Sequence, residues 1–568
     1  MSDLVTRIEA QTLANALKYD GKANPNNVLP KILGEFPDQK ARIKELRAEI
    51  DTVVASVNAM SLDAIHARLV TIAPELLEKK VEKEKDLPPL QNAVMGKVVT
   101  RIPPEPSKYN HLGHALTFLL NAIYAERYEG KVVLRFEDCN PEKVNQEYVD
   151  AMIYDITQYL GITPSTVRFV SDDMPELLRQ AAVLIERSGA YMCFCEQEIM
   201  RANRESMTEC ACRGKPIAEH LVLWGEFVAG KHPKGTCVLR FAGDMASQNT
   251  VLRDPVLWRA VDTPHFRVGS KYKIWPTYDF YSPIEEHLCS VTHVLRTTEF
   301  DLRVPLQQSI KEILGLPGQD ILQYGRFNIA GATTKGREIR DLIATGEYMG
   351  WDDPRLVTLK ALKRRGIRAE AYRELVKKVG LSPYPITLDF SMLAAANRQI
   401  VDPIAHRYAF IWDPVEIEVT GAPHTDVTLH LHPDKKNGGR TLKATGKLFV
   451  RPDDHATFAD FKEQDVVRFN GLSIAKPAGS HTLTWLGDSA PAKGHNYTLK
   501  TASWLPADEG QTVLVEVMMP DATVKSGVAE AGLKHAKVDE IVQLERFGFC
   551  RVDEHGDDGV IRLWYAHD

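Results

Sequence analysis

The chain has 568 residues, of which 44% are hydrophobic and 26% are charged, with a formal net charge of -6 at pH 7. This length allows several domains, and the composition is that of an ordinary globular protein without an apolar run long enough to span a membrane. The net charge excludes a generally basic surface, so contact with nucleic acid would depend on local patches. Because the first residues lack the pattern of a secretory signal, we expect a cytoplasmic protein without a membrane partner.

Residues 1–92 are predicted to form a helical N-terminal domain. Apolar residues recur at helical spacing, as at Leu13, Ala16 and Leu17, and a charged run at 78–85 precedes the end of this region. No catalytic constellation occurs in it. The role of this region is therefore left open, and so is whether it binds a protein partner.

A strand, a turn and a helix are predicted next. The strand at 98–102 is followed by a proline-rich extended segment, then by His111-Leu112-Gly113-His114 and a buried helix. The two histidines share a face at a helix N-terminus, where unpaired N–H groups and the helix dipole favour a phosphate. Gly113 leaves room for a base or a ribose against the backbone. The motif predicts a nucleotide site, and its alternative is a helix start with two solvated histidines.

The nucleotide fold is predicted to be split. A strand at 131–138 completes a strand-helix-strand unit within residues 93–171, as in parallel sheets that bind nucleotides at the carboxyl ends of their strands. A second block of this kind covers residues 275–340, and residues 172–274 lie between the two as an insertion.

Eight cysteines divide into a cluster and four isolated residues. Cys193, Cys195, Cys210 and Cys212 form two Cys-x-Cys pairs separated by fourteen residues. Four thiolates can close on one tetrahedral structural Zn²⁺, and four reduced thiols without metal are the alternative. The isolated cysteines are predicted to be core residues; they are Cys139, Cys237, Cys289 and Cys550.

The rest of the chain changes from helix to strand. Residues 341–405 have helical patterns, whereas residues 406–568 contain short β-rich segments that indicate β-barrel or sandwich modules. The predicted fold class is multidomain α/β plus β.

Further motifs follow the first in a fixed order. They are Arg-Phe-Glu-Asp at 135–138, Tyr-Asp-Phe at 278–280, Gly-Trp-Asp-Asp-Pro-Arg at 350–355, Ala-Asn-Arg at 396–398 and Asp-Pro-Ile-Ala-His-Arg-Tyr at 402–408. With them, residues 97–568 resemble class I glutamyl-tRNA synthetases of the archaeal and eukaryotic type, which are close relatives of glutaminyl-tRNA synthetases.

The resemblance implies a fold and an activity. It implies a split Rossmann-type catalytic domain with an inserted domain that binds the acceptor end of tRNA, a helical connecting domain and C-terminal anticodon-binding β-barrels. It also implies that ATP with Mg²⁺ drives the attachment of L-glutamate to tRNA(Glu) through a glutamyl-adenylate, with release of AMP and pyrophosphate. Whether tRNA(Gln) is a second acceptor stays open.

The resemblance also assigns residues to ATP. His111, Gly113 and His114 match the family's first motif, whose histidines stabilise the phosphates. Lys335 matches a lysine of the family's KMSKS loop, although the first lysine and the methionine of that loop are absent and glycine replaces its final serine. In the first motif, Lys108 replaces the usual glycine, and asparagine at 110 replaces the usual leucine.

The amino-acid site can be argued from charge. Glutamate carries two carboxylates and one ammonium, so its site needs two cations and one anion, and arginine is the best carboxylate clamp. By resemblance, Arg101 and Tyr278 face the side-chain carboxylate, Glu137 faces the α-ammonium, Arg296 is the second clamp and Ser107 adds a polar contact. Glutaminyl enzymes carry a small uncharged residue at the position of Arg296, so this arginine favours glutamate.

Two alternatives stay open. The first is a glutaminyl-tRNA synthetase, which Arg296 opposes. The second is a tRNA-binding scaffold without catalysis, which the degenerate KMSKS-like loop suggests and the intact first motif opposes.

Overall fold

The structure, a computed structural model, describes residues 2–19, 21–76, 87–422, 424–432, 435–458, 460–461, 465–469, 472–479, 481–487 and 499–568. The chain divides into two compact units, residues 1–84 and 85–568. The charged run at 78–85 lies outside the described residues.

The first unit is helical. Asn24 caps the second helix through a bond from the backbone N–H of Asn26, and Ser61 caps the fourth through the backbone N–H of Ala64. Apolar side chains from all of these helices share one buried core. The helices are α1 (Ser2–Lys18), α2 (Pro25–Glu35), α3 (Ile43–Val57) and α4 (Leu62–Ile72).

The second unit begins with a parallel sheet. Leu116 and Leu119 on the first helix of this unit are buried in one core with Leu134 and Phe136 on the second strand, as their spacing predicts. The strands lie in the order β1-β2-β3, and both neighbouring pairs are parallel. The elements are β1 (Val99–Ile102), α5 (Leu112–Arg127), β2 (Lys131–Phe136), α6 (Gln146–Ile153) and β3 (Thr166–Phe169).

An antiparallel sheet follows. Its strands lie in the order β4-β5-β6-β7, and Trp258 and Trp275 are fully buried in its core. That core is continuous with Phe280 and Leu306 from the following helices, so the segment packs directly on the rest of the unit. The elements are α7 (Met174–Glu186), β4 (Ala190–Cys193), α8 (Gln197–Ser206), α9 (Ile217–Val228), β5 (Val238–Phe241), β6 (Val256–Ala260) and β7 (Ile274–Pro276).

The chain then returns to the parallel layer. The backbone N–H of Val99 donates to Oγ1 of Thr292 at 2.8 Å, and the N–H of Thr292 donates to the carbonyl of Val99 at 3.0 Å, so β8 lies beside β1. The elements are α10 (Tyr278–Leu288), β8 (His293–Thr297), α11 (Val304–Leu314), β9 (Asp320–Tyr324), β10 (Phe327–Ile329), α12 (Gly336–Ala344), α13 (Leu359–Arg364), α14 (Ala369–Val379), β11 (Ile386–Leu388) and α15 (Phe390–Val401).

The C-terminal part is built from sheets. Among the described residues, two seven-stranded sheets have the orders β12-β25-β26-β27-β23-β24-β13 and β21-β18-β19-β20-β14-β17-β22, and β15 pairs with β16. The elements are β12 (His406–Tyr408), β13 (Phe410–Trp412), β14 (Val415–Thr420), β15 (Thr425–His432), β16 (Lys435–Ala444), β17 (Lys447–Val450), α16 (Pro452–Phe458), β18 (Val466–Phe469), β19 (Ser473–Pro477), β20 (Thr482–Gly487), β21 (Leu499–Ala502), β22 (Trp504–Pro506), β23 (Thr512–Met518), β24 (Val524–Glu530), β25 (Ile541–Leu544), β26 (Gly548–His555) and β27 (Ile561–His567).

Polar side chains join the helices after β9 to the last sheet. Asn397 accepts the backbone N–H of Arg368 at 2.8 Å, and its amide nitrogen lies 2.9 Å from Nε2 of His567. Arg364 forms an ion pair with Asp553 at 2.7 Å. These buried and half-buried contacts give the Ala-Asn-Arg motif a structural role, since buried polar groups need partners.

Candidate functional site

A cavity of about 420 Å³ lies where β1, β2 and β8 end. This is the edge at which parallel α/β sheets bind ligands. The structure brings most of the predicted site residues to its lining, and Lys335 lies outside that lining. The predicted residues on it are Arg101, Ser107, His111, Gly113, His114, Glu137, Tyr278 and Arg296.

The two histidines of the first motif form a capping arrangement. Nδ1 of His111 accepts the backbone N–H of Gly113 at 3.1 Å, and Nδ1 of His114 accepts the backbone N–H of His111 at 3.3 Å. Their rings stack with centroids 3.8 Å apart. Burial lowers the pKa of His111 to about 3 and holds the pKa of His114 well below its usual value. Both rings are therefore neutral near pH 7, and each carries its proton on Nε2, which can donate to a phosphate.

Gly113 suits the narrow space at this helix start. A Cβ atom at position 113 would lie 3.1 Å from Cε1 and 3.2 Å from Nδ1 of His111. A side chain there would force the His111 ring to shift by a few tenths of an ångström, so the glycine suits the arrangement of the imidazoles.

Residues after the Gly-Trp-Asp-Asp-Pro-Arg motif hold the first motif in place. The backbone N–H of Leu112 donates to the carbonyl of Val357 at 3.0 Å, and the N–H of Leu359 donates to the carbonyl of Asn110 at 2.9 Å. Asp353 in the motif is fully buried and accepts the backbone N–H of Met349 at 3.0 Å. The backbone that follows the turn, at Val357 and Leu359, is thus hydrogen-bonded to the start of the helix.

Asn110 also contacts a buried carboxyl group. Its Nδ2 donates to Oδ2 of Asp155 at 3.0 Å, and burial raises the pKa of Asp155 to about 7. The folded-state pKa of this acid lies above its unfolded value, so the stability that its protonated form contributes is present in full below about pH 4 and is lost as pH rises through about 7.

We expect Asp155→Asn to stabilise the protein at pH 8 and to stabilise it clearly less at pH 5, where only part of the stability contributed by the protonated acid has been lost. The amide avoids a buried charge and still accepts the bond from Asn110, for a gain of about 1–3 kcal/mol. Thermal unfolding midpoints at the two pH values measure it. Asp150→Asn, at an exposed position on the preceding helix α6, is the matched control, and a pH-independent difference between Asp155→Asn and the original chain would contradict the assignment.

Buried ion pairs surround the end of the cavity that holds the residues predicted to bind the amino acid. Nη2 of Arg135 donates to Oε1 of Glu137 at 2.9 Å, and Tyr281 donates to Oε2 at 3.3 Å. Arg101 donates to the carbonyl of Leu295 at 2.9 Å, and its Nε lies 3.7 Å from Oε1 of Glu286. These fixed partners hold a cation and an anion on one wall at defined positions, as binding of an amino acid requires.

Arg296 is buried, and among the described ion pairs it has no carboxylate partner. Its Nη1 donates to Oε1 of Gln307 at 2.8 Å, and its Nε has no hydrogen-bond partner in the described structure. Glu299, the acid nearest in sequence, pairs with Arg326 at 3.0 Å instead. A buried guanidinium with spare donors is suited to an incoming carboxylate.

The predicted lysine of the KMSKS-like loop does not line the cavity. Nζ of Lys335 lies 2.7 Å from Oε1 of Glu338, and the side chain is 76% exposed. The same loop touches the first motif elsewhere, because Nζ of Lys108 donates to the carbonyl of Thr334 at 3.1 Å. Arg340 donates to the carbonyl of Ser107 at 3.1 Å.

Two cations on the lining, Lys108 and Arg326, have no role predicted from the sequence. Arg326 lies two residues after the end of β9, and its position at the carboxyl edge of the sheet was the signal that could have identified it. Lys108 was visible only as a departure from the family pattern.

The four clustered cysteines converge. Their sulfur atoms all lie within 4.8 Å of one another, and none forms a disulfide. The Sγ separations are 3.7 Å for Cys193–Cys210, 3.2 Å for Cys195–Cys210 and 3.9 Å for Cys195–Cys212. Tetrahedral Zn²⁺ with bonds of about 2.3 Å places its sulfurs about 3.8 Å apart, so the cluster fits such an ion. The four isolated cysteines are buried.

None of the helices in the described part of the chain combines the length and apolar character needed to cross a bilayer.

Comparisons with known proteins agree with the motif order. The family model for the catalytic domain of class I tRNA synthetases (E and Q) matches residues 97–403, and two models for anticodon-binding domains of the same family match residues 405–481 and 482–553. The predicted fold class, an α/β catalytic region followed by sheet-rich anticodon-binding modules, is confirmed.

Full-length relatives are similar throughout. A glutamate--tRNA ligase of Pyrococcus abyssi is 38% identical over 98% of this chain and 98% of the relative. One from Methanopyrus kandleri is 35% identical over 100% of this chain and 99% of the relative. A crystal structure of a glutamate tRNA ligase from Elizabethkingia meningosepticum has a TM-score of 0.40 and 16% identity, covering 54% of this chain and 70% of that one. The chain belongs to the class I tRNA synthetases of the glutamyl and glutaminyl (E and Q) family.

Proposed function

We propose that the chain attaches L-glutamate to tRNA in two steps, through a glutamyl-adenylate. The observation that carries the proposal is Arg296, a buried guanidinium with spare donors in the same cavity as Arg101, Glu137 and the first motif. Two cations and one anion match the charges of glutamate. The full-length relatives named as glutamate--tRNA ligases support the same choice.

In the first step, an α-carboxylate oxygen of glutamate attacks the α-phosphorus of ATP, the bond to the bridging oxygen breaks, and pyrophosphate leaves. The Nε2–H groups of His111 and His114 donate to phosphate oxygens that gain charge. The reaction needs positioning and charge stabilisation more than covalent help. Class I synthetases use ATP and Mg²⁺, and Mg²⁺ would enter on the phosphates, with Glu105 on the cavity lining as an available carboxylate.

In the second step, a ribose hydroxyl at the end of tRNA attacks the adenylate carbonyl and AMP leaves. Residues 172–274 are proposed to hold the tRNA end. A second cavity of about 780 Å³ in that region supports this role because arginines line it, and arginine suits phosphate. Those arginines are Arg201, Arg204, Arg240, Arg253 and Arg259.

The remaining domain assignments are proposals of the same kind. Residues 93–171 and 275–340 form the two halves of the catalytic domain, residues 341–405 connect it to the rest, and residues 406–568 read the anticodon. Binding of a protein partner by residues 1–92 stays a prediction.

The cysteine cluster is proposed to hold one structural Zn²⁺. We expect about one zinc per chain in protein purified without chelator, and its loss together with a lower unfolding temperature in Cys195→Ser, because a closed four-thiolate site contributes directly to folding. Elemental analysis and thermal unfolding measure both. Cys237→Ser changes a buried cysteine outside the cluster and should keep the metal. Metal-free protein with an unchanged unfolding temperature would exclude a structural ion.

Aminoacylation of total tRNA with labelled glutamate and labelled glutamine, side by side, tests the proposed function. Attachment of glutamate alone supports it, and sequencing of the charged tRNAs then tells whether tRNA(Gln) is accepted as well as tRNA(Glu). Attachment of glutamine would favour the glutaminyl alternative. Attachment of neither, with ATP still bound, would favour a scaffold without catalysis.

A further inference from the structure

Lys108 is a cation at the boundary between the first motif and the KMSKS-like loop. It lines the cavity together with both imidazoles of the motif, and its Nζ donates to the carbonyl of Thr334 at 3.1 Å. Besides burial, its charge helps to lower the pKa of His111 and of His114. This lysine occupies the place of the glycine that is usual in the family's first motif.

The loop is shaped to accept this side chain. A Cβ atom on Gly336 would lie 3.1 Å from Cδ and 3.2 Å from Cβ of Lys108. A larger residue at position 336 would therefore compete with the lysine for space. Two departures from the family pattern, a lysine for a glycine at 108 and a glycine for a serine at 336, are thus in contact and compensate each other in volume.

Positive charge accumulates around Lys108. Burial lowers its pKa, and the neighbouring charges of Arg326 and Arg340 lower it further, against an opposing effect of Glu105. Arg326 lines the cavity as well. Neighbouring cations repel one another, and a bound polyanion relieves this repulsion. The group of cations therefore favours the binding of a polyanion. By contrast, Lys335 is engaged with Glu338 outside the lining.

We propose that Lys108 binds the β- and γ-phosphates of ATP, and the pyrophosphate that leaves, in place of the first lysine that the KMSKS-like loop lacks. The inference rests on the proposed function because it assigns the triphosphate to this cavity. On adenylate formation, the bond between the α-phosphorus and the bridging oxygen breaks, and the electron pair goes to the pyrophosphate oxygens. The lysine ammonium then compensates this charge without transferring its proton.

Lys108→Gln is the decisive variant. Glutamine keeps part of the stem and a donor for the carbonyl of Thr334, but it removes the charge. We expect its affinity for β,γ-methylene-ATP and for pyrophosphate to fall about tenfold to a hundredfold, the range for a lost charged hydrogen bond. AMP affinity should stay unchanged, since AMP lacks the β- and γ-phosphates. Titration calorimetry on the full chain measures all three ligands.

Two further variants separate charge from packing. Lys108→Arg should keep most of the ATP affinity because it keeps the cation, and Lys131→Gln, at an exposed strand position, should match the original chain. Equal weakening of ATP and AMP binding in Lys108→Gln would show a structural role and overturn the proposal, as would unchanged binding of all three ligands. If the original chain binds ATP but forms no adenylate, the proposed function fails while these titrations still test Lys108.

Discussion

We expect Arg296→Cys to lower kcat/KM for glutamate about a thousandfold, and glutamate-dependent ATP–pyrophosphate exchange in the presence of tRNA is the measurement that checks it. The arginine is buried, so its removal leaves a substrate carboxylate without a partner in a site with little water. Breaking one partner of a buried charge pair costs about 2–5 kcal/mol, which corresponds to this range of rate. The ATP KM should change little, because the phosphates are assigned to the other end of the cavity.

The controls for this substitution come from the chain itself. Arg179→Cys replaces an arginine whose side chain is 60% exposed and paired with Glu176, so it introduces a cysteine without opening the cavity. Its glutamate kinetics should match those of the original chain. Unchanged kinetics in Arg296→Cys would remove this residue from the amino-acid site, and a gain of glutamine use would identify it as the residue that separates the two substrates.

Local features of the site could be predicted from the sequence because residues close together in the chain determine them. The helix start at His111 follows from a proline-stiffened segment that meets an apolar helical run. The two Cys-x-Cys pairs follow from spacing, and their sulfurs converge. The family's motif order placed Arg296 and Glu137 on one cavity although 159 positions separate them in the chain.

Contacts between distant segments could not be predicted from the sequence. Asn110 bonds to Asp155 across 45 positions, and Lys108 reaches Thr334 across 226 positions. Neither pair has a periodic or motif signal, since each depends on how two elements pack after folding. The ion pair of Lys335 with Glu338 is local, yet its position outside the cavity lining depends on the path of the whole loop. Such placements need the tertiary structure.

We expect Lys335→Ala to slow adenylate formation about a hundredfold in a single-turnover experiment and to change the dissociation constant of ATP less than about threefold. A cation that meets the phosphates mainly as charge develops lowers the barrier more than it strengthens ground-state binding. In the structure Lys335 pairs with Glu338 at the surface, and exposed ion pairs contribute little to stability because water and salt screen them. Lys335 can therefore leave the Glu338 carboxylate and bind a phosphate at little cost in free energy.

Glu338→Gln is the matched variant for this loop. It removes the competing carboxylate and keeps an oxygen that can accept from Thr333, whose hydroxyl bonds to Glu338 at 2.7 Å. We expect its adenylate rate to equal or exceed the original by up to about fivefold, since an exposed ion pair is weak and little is lost when it breaks. A full single-turnover rate in Lys335→Ala would mean that the loop does not supply a catalytic cation. Lys108 and Arg326, already on the cavity lining, would then have to stabilise the leaving pyrophosphate by themselves.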